Sequence, residues 1–286
     1  MIIIRFAWLS LVLCVMAGAA GADDAKPQPA AKDAPAEPQP TDKNAPARLR
    51  FIFKMNVFLI ENFDLIAKAA GIEYQSHGYG EDLDKPLKQG RKLVEDTPGT
   101  LMKKGEVDVC LTVDVNWVEK PPLDKWAAVG LEGNPKFRLY QQARFLPEKP
   151  EERDNSKIAD VQAVLDKSRK KLEARVDAIN KEIGKPVVFI VPVGDAIMKL
   201  REMVVDGKFP GVTKQSELFL SGSRGSIHVE KHANLLTAYC NYAAIYQKSP
   251  VGLKLEIKDI TDEQHAILQK LALETVLQYT HAGVTK

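Results

Sequence analysis

Lys185–Gly207 reads KPVVFIVPVGDAIMKLREMVVDG. Between Pro186 and Pro192 every residue is β-branched or aromatic. A short apolar run closed by prolines is the pattern of a strand covered on both faces. The residues from Asp195 to Asp206 then read as a helix. A strand that feeds directly into a helix is one half of a βαβ unit, and the rest of the chain decides whether such units repeat.

They repeat on both sides. Upstream, Lys157–Ile183 is a long charged helix with Ile158, Val161, Leu165, Leu172, Val176 and Ile179 on one stripe, and Gly184 closes it. Its charges are a solvated face. Further back, Leu49–Phe58, Ile72–Gln75, Val107–Val113 and Phe137–Gln141 read as strands, and Phe63–Gly71 and Leu123–Gly133 as helices. Lys85–Lys104 reads as a polar helical region interrupted at Pro98-Gly99. Downstream, Phe209–Gly225 is mostly loop, Ala233–Tyr246 is an apolar helix, and Asp262 to about Tyr279 is an amphipathic one with Thr261 as N-cap. The expected architecture is α/β: a three-layer sandwich around one mostly parallel sheet of about five strands, in flavodoxin-like order.

The chain has 286 residues with 40 basic and 38 acidic ones, a net charge of +2. No basic run is interleaved with aromatics, so nucleic acid is not an expected partner. Residues 1–22, MIIIRFAWLSLVLCVMAGAAGA, carry Arg5, an apolar run and small residues up to Ala22. That is the form of a secretory signal cleaved after Ala22, and it implies a secreted or periplasmic protein with no membrane insertion once the signal is gone. Residues 23–48 are rich in Pro and Ala and almost free of larger apolar side chains, the composition of a disordered linker. Residues 49–286 form the expected domain, with no internal repeat. Cys110 and Cys240 either pair in an oxidising compartment or are packed thiols.

In open α/β sheets ligands sit beyond the carboxyl ends of the strands. The loops to inspect are therefore Lys54–Phe58, Ser76–Asp82, Asp114–Trp117, Arg144–Pro147 and Ser221–His228. His228, just ahead of the apolar helix, is a candidate general base or a surface His at a helix start. Tyr79 and Trp117 offer aromatic faces to a sugar ring or are packed. Arg144 and Arg224 favour an anionic or acylated ligand if they point inward. His228 and His232 are four residues apart, but the His-Glu-x-x-His order and a third ligand are missing. Neither a metal nor another cofactor is expected.

The strings AKAAGI (67–72), KKGEVDVCLT (103–112), KPVVFIVPVGDA (185–196) and LTAYCNYAAIYQKSPVGL (236–253), in this order of elements, resemble the SGNH/GDSL hydrolases, in particular a secreted bacterial branch. The resemblance implies a nucleophilic Ser in a Gly-x-Ser turn after the first strand. It further implies oxyanion donors from a Gly and an Asn after the second and third strands, and an Asp-x-x-His pair before the last helix. Here the first turn is Lys54-Met-Asn-Val-Phe58, without the glycine or the serine, so Lys54 and Asn56 are carried over as binding residues. By the same resemblance, Gly78 or Gly80 is the candidate for the backbone N–H and Asn116 the candidate for the side-chain donor. His228 is present, but Gly225 stands where the aspartate belongs.

Loss of the serine alone costs about 10⁶ in rate in a Ser-His-Asp enzyme, and loss of the acid about 10⁴. The leading expectation is a degenerate member that binds a carbohydrate or acylated ligand in the old cleft. Two others stand beside it: a carbohydrate esterase with a rearranged site that uses His228 as base, and a structural or surface-assembly protein with a vestigial cleft.

Overall fold

A computed structural model describes residues 48–54, 58–113, 122–143, 152–221 and 227–284. In chain order the elements begin with β1 (Leu49–Lys54), α1 (Phe58–Ala69), β2 (Tyr74–Tyr79), β3 (Lys88–Gln89), β4 (Lys92–Leu93) and α2 (Pro98–Lys103). Next come β5 (Val109–Val113), α3 (Leu123–Gly133), β6 (Arg138–Gln142), α4 (Ile158–Ile183), β7 (Val188–Val191) and α5 (Val193–Val205). The chain closes with β8 (Phe219–Ser221), β9 (Ile227–Val229), α6 (Lys231–Tyr246) and α7 (Asp262–Gln278). Residue contacts gather Pro46–Lys286 into one compact unit. The signal and linker expected before Leu49 lie outside the described residues, apart from Arg48.

The main sheet has seven strands in the order β4-β3-β2-β1-β5-β6-β7. All neighbours from β2 to β7 are parallel. Counted along the chain, these parallel strands lie in the order second, first, third, fourth, fifth, which is the doubly wound order expected. The other two strands were not expected. They form a hairpin on the β2 edge, where helix was predicted from Lys85 onward. The correction has a local cause. Gly90 takes φ 61° at the first position of a two-residue turn, the geometry of a tight hairpin. Leu87 is buried, but no apolar stripe follows it at helical spacing. Helix begins only at α2, where Thr97 and Thr100 form a reciprocal capping box and Pro98 fills a position that needs no donor.

Strand alternation sorts the core into two layers. Phe51, Phe53, Val109, Leu111 and Tyr140 face one cluster, which holds the buried sides of α1, α5, α6 and α7. Ile52, Cys110, Leu139, Val188 and Ile190 face the other, with Leu101, Met102, Trp126, Val176 and Ile179 from α2, α3 and α4. Helix α6 is buried almost all round, from His232 to Ile245, because it lies between the sheet and the neighbouring helices α1, α5 and α7. Helix α2 packs on α3, and Gly105, just past the end of α2, lies against Gly133. A Cβ on Gly133 would sit 2.1 Å from the Met102 carbonyl oxygen.

Several sequence expectations appear in place. Gly71 and Gly184, both in the left-handed region, close α1 and α4. Thr261 caps α7 in a capping box with Gln264. Cys110 and Cys240 are free, buried, and lie in clusters on opposite faces of the sheet. Burial pushes both thiols up, so neither is a ready thiolate.

Candidate functional site

Parallel register aligns residues across the central strands. One inward-facing row is Ile52–Cys110–Leu139–Val188, wholly apolar. Two residues further toward the carboxyl ends, the same face carries Lys54–Thr112–Gln141. An amine, a hydroxyl and an amide thus replace hydrocarbon where β1, β5 and β6 end. The boundary between β1 and β5 is the point where the winding of the sheet reverses, the place at which such folds bind ligands.

The side chains of this row are ordered by their neighbours. Lys54 is half-buried, and its Nζ lies over the indole of Trp126, 5.1 Å from the ring centroid. That contact is a cation–π pair at the end of an apolar stem. Trp126 is buried, and its Nε1–H has no hydrogen-bond partner among the described residues. Thr112 Oγ1 donates to Gln141 Oε1 at 2.5 Å and reaches the Tyr140 carbonyl at 3.1 Å. Gln141 Nε2 donates to the Gln142 carbonyl at 2.9 Å. On the opposite face Gln142 Nε2 donates to Asn241 Oδ1 of α6 at 3.1 Å. Gln142 Oε1 and Asn241 Nδ2 are buried and find no partner among the described residues. Buried polar groups at the end of a sheet are costly unless satisfied, so this floor is polar against the trend of the core.

The residues expected from sequence are only partly assembled here. Lys54 stands in the row. Gly78 N–H donates to Ser76 Oγ at 3.1 Å and Gly80 N–H to the Phe53 carbonyl at 3.0 Å, so both amides proposed as oxyanion donors are already engaged. His77 and Gly78, expected in a turn, lie in β2; Gly78 at φ 101° accompanies an irregularity in its pairing with β1. Tyr79 lies on β2 with Lys88 Nζ 5.5 Å from its ring centroid. His228 is in β9, paired in register with Leu220 of β8, in the ribbon that leads into α6. Asn56, Asn116, Trp117, Arg144 and Arg224 lie outside the described residues.

His232, the other member of the spaced His pair, is buried and stacks edge-on against Phe209 at 5.3 Å. Burial, helped by Lys231, holds its imidazole below the ordinary value. His265 of α7 is also buried. Its Nδ1 lies 3.0 Å from Tyr239 Oη, which in turn accepts from Gln269 Nε2 at 3.1 Å. The His–carboxylate contact found among the described residues joins His281 to Asp177 at 3.1 Å. Asp177 lies in the last third of α4, toward the amino ends of the strands, opposite to the polar row. No group of three His, Cys, Asp or Glu among the described residues is arranged to hold a metal ion.

Thr112, Gln141, Gln142, Asn241 and Trp126 were not singled out as site residues from sequence. A weak signal existed in the amide pair that ends the strand RLYQQ and in Asn241, which stands among apolar and aromatic residues in the middle of an apolar helix.

Fold and row together define a doubly wound α/β protein with a polar floor at its switch point. No family model matches the chain, and no curated protein matches it. Among solved structures, the crystal structure of a DUF4886 family protein from Bacteroides uniformis ATCC 8492 at 1.50 Å resolution is similar to it. The TM-score is 0.52 at 10% sequence identity, over 82% of this chain and 96% of that one. At that identity the likeness is one of fold. No helix among the described residues is long and apolar enough to cross a membrane.

Proposed function

We propose that this is an exported, SGNH-hydrolase-like protein that binds a carbohydrate or acylated ligand at the carboxyl end of its sheet without hydrolysing it. The observation that carries the reading is the row Lys54–Thr112–Gln141. It places donors and acceptors at the switch point, and the side chain that ends β1 is an amine over an indole. The amine suits a carbonyl or carboxylate on an acyl substituent, and the buried Trp126 beneath it holds the amine in place. The absence of Ser from Lys54-Met-Asn-Val-Phe58 argues against acyl-enzyme chemistry, since Asn56 has no alkoxide to offer. With amides Gly78 and Gly80 both engaged, support for a ready oxyanion hole is weaker still.

The test uses the purified chain without residues 1–22, challenged with glycan fragments, acetylated sugars and short acyl esters. The expected result is a rise in melting temperature with a subset of the glycans and no ester turnover. Turnover abolished by His228→Ala would replace this reading with the esterase. Neither turnover nor binding would leave a scaffold with a vestigial cleft.

A further inference from the structure

Residues 253–257, Leu-Lys-Leu-Glu-Ile, connect α6 to α7 without helix, turn or bend. Their exposure alternates. Leu253, Leu255 and Ile257 are half-buried against the helical core, whereas Lys254, Glu256 and the following Lys258 are exposed. A period of two is the period of a strand, yet this segment belongs to neither of the sheets.

In an extended chain the N–H and C=O groups of alternate residues point to opposite edges. On the edge of residues 253, 255 and 257 the chain satisfies part of its own demand. Leu253 N–H donates to the Pro250 carbonyl at 3.2 Å, the Leu253 carbonyl accepts from Gln269 Nε2 at 2.8 Å, and the Ile257 carbonyl accepts from Ile260 N–H at 3.2 Å. On the other edge, the backbone groups of Lys254 and Glu256 make no hydrogen bond within the described residues. That edge is a template for strand addition.

We propose that this edge pairs with the same edge of a second copy of the chain, antiparallel about a two-fold axis at Leu255. Antiparallel pairing brings like faces together, so the apolar side of both segments stays against its own helices. The register follows from charge. With the axis at Leu255, Lys254 stands opposite Glu256 of the second copy, and Glu256 opposite its Lys254, while Leu253 meets Ile257. With the axis at Glu256, Glu256 would face Glu256 and Lys254 would face Lys258, which like-charge repulsion disfavours. Each Lys254–Glu256 pair exchanges two backbone bonds, about four in all. Residues 23–48 of the same chain are a poor alternative occupant, because their recurrent prolines lack the N–H that a ladder needs. So short an edge places the dimer in the weak class, with an interface below about 1,200 Å².

Sedimentation velocity on the chain without residues 1–22, from about 1 to 500 µM, reads the equilibrium directly. The expected result is a concentration-dependent dimer. Lys254→Glu alone, or Glu256→Lys alone, turns both cross-strand pairs into like charges and should weaken association about tenfold. The double swap K254E/E256K should restore it, and Glu256→Pro should abolish it by removing a ladder donor. The three swap proteins alter exposed side chains only, so circular dichroism should report an unchanged fold even if the proline variant misfolds. A monomer at every concentration, or a dimer indifferent to the swaps, would overturn the proposal. Either result is independent of whether the chain binds glycans.

Discussion

Lys54 and His265 show how far single side chains can be read. Lys54 ends β1 with its stem in the core and its amine over Trp126. Lys54→Met keeps the stem and removes the charge, so ligand binding should weaken about tenfold with little change in stability, as isothermal calorimetry would show. At His265 the direction of the hydrogen-bond chain is fixed by backbone. Gly252 N–H donates to Gln269 Oε1 and the Leu253 carbonyl accepts from Gln269 Nε2, so the same Nε2 donates to Tyr239 Oη, and the Tyr239 hydroxyl proton is given to His265 Nδ1. The imidazole is therefore held neutral, and burial keeps its pKa below the ordinary 6.5. The unfolded chain binds the proton first, so this part of the stability is complete above about pH 6.5 and lost as pH falls through the folded value. Urea unfolding at about pH 7 and pH 5 should show that loss, and His265→Asn, whose Oδ1 can accept from Tyr239, should reduce it. Lys54 could be named from sequence because it stood at a strand end. His265 could not, because its tautomer depends on a turn and a helix distant in sequence.

Element by element, the pairing of α6 with β6 and of α2 with α3 makes the sharpest demands. Gln142 and Asn241 share one hydrogen bond in a buried setting. Asn241→Leu strips Gln142 of its side-chain partner and should cost about 1–3 kcal/mol, whereas Gln142→Leu combined with it should recover much of the loss. A chemical-denaturation double-mutant cycle would reveal the non-additivity. At the α2–α3 contact, Gly133→Ala forces a methyl against the backbone of Met102 and should destabilise by about 1–3 kcal/mol or more, read as a fall in the denaturant midpoint. The elements themselves were largely legible. Helix α3 occupies Leu123–Gly133 as read, and the cap of α7 falls on Thr261. The failure lay between Lys85 and Pro98, where charge density suggested helix and a glycine at positive φ made a hairpin.

Across the whole molecule the arrangement is governed by what becomes of strand edges. The β7 edge is closed by Asn180 of α4, whose Oδ1 accepts from Val187 and Val188 N–H at 2.9 Å and whose Nδ2 donates to the Val188 carbonyl. The opposite edge is a short hairpin bearing Lys88 and Lys92, a composition that discourages further pairing. Asn180→Ala should reopen the first edge, and light scattering during a thermal ramp should then begin at lower temperature. By contrast the backbone groups of Lys254 and Glu256 make no hydrogen bond among the described residues, and this is the edge on which the proposed dimer rests.

The alternation of short β-branched runs with helical stripes determined the α/β class and the parallel strands, because burying both faces of a parallel sheet leaves a local signature in each strand. Helix ends at Gly71, Gly184 and Thr261 were equally local, since caps depend on φ and on side chains a few residues apart. Only the tertiary structure decided which side chains form the floor of the site. Lys54, Thr112 and Gln141 are neighbours through strand register alone, and Trp126 and Asn241 reach that end of the sheet by helix packing. Register and packing are set by the sum of many distant contacts, and no short stretch of sequence records them.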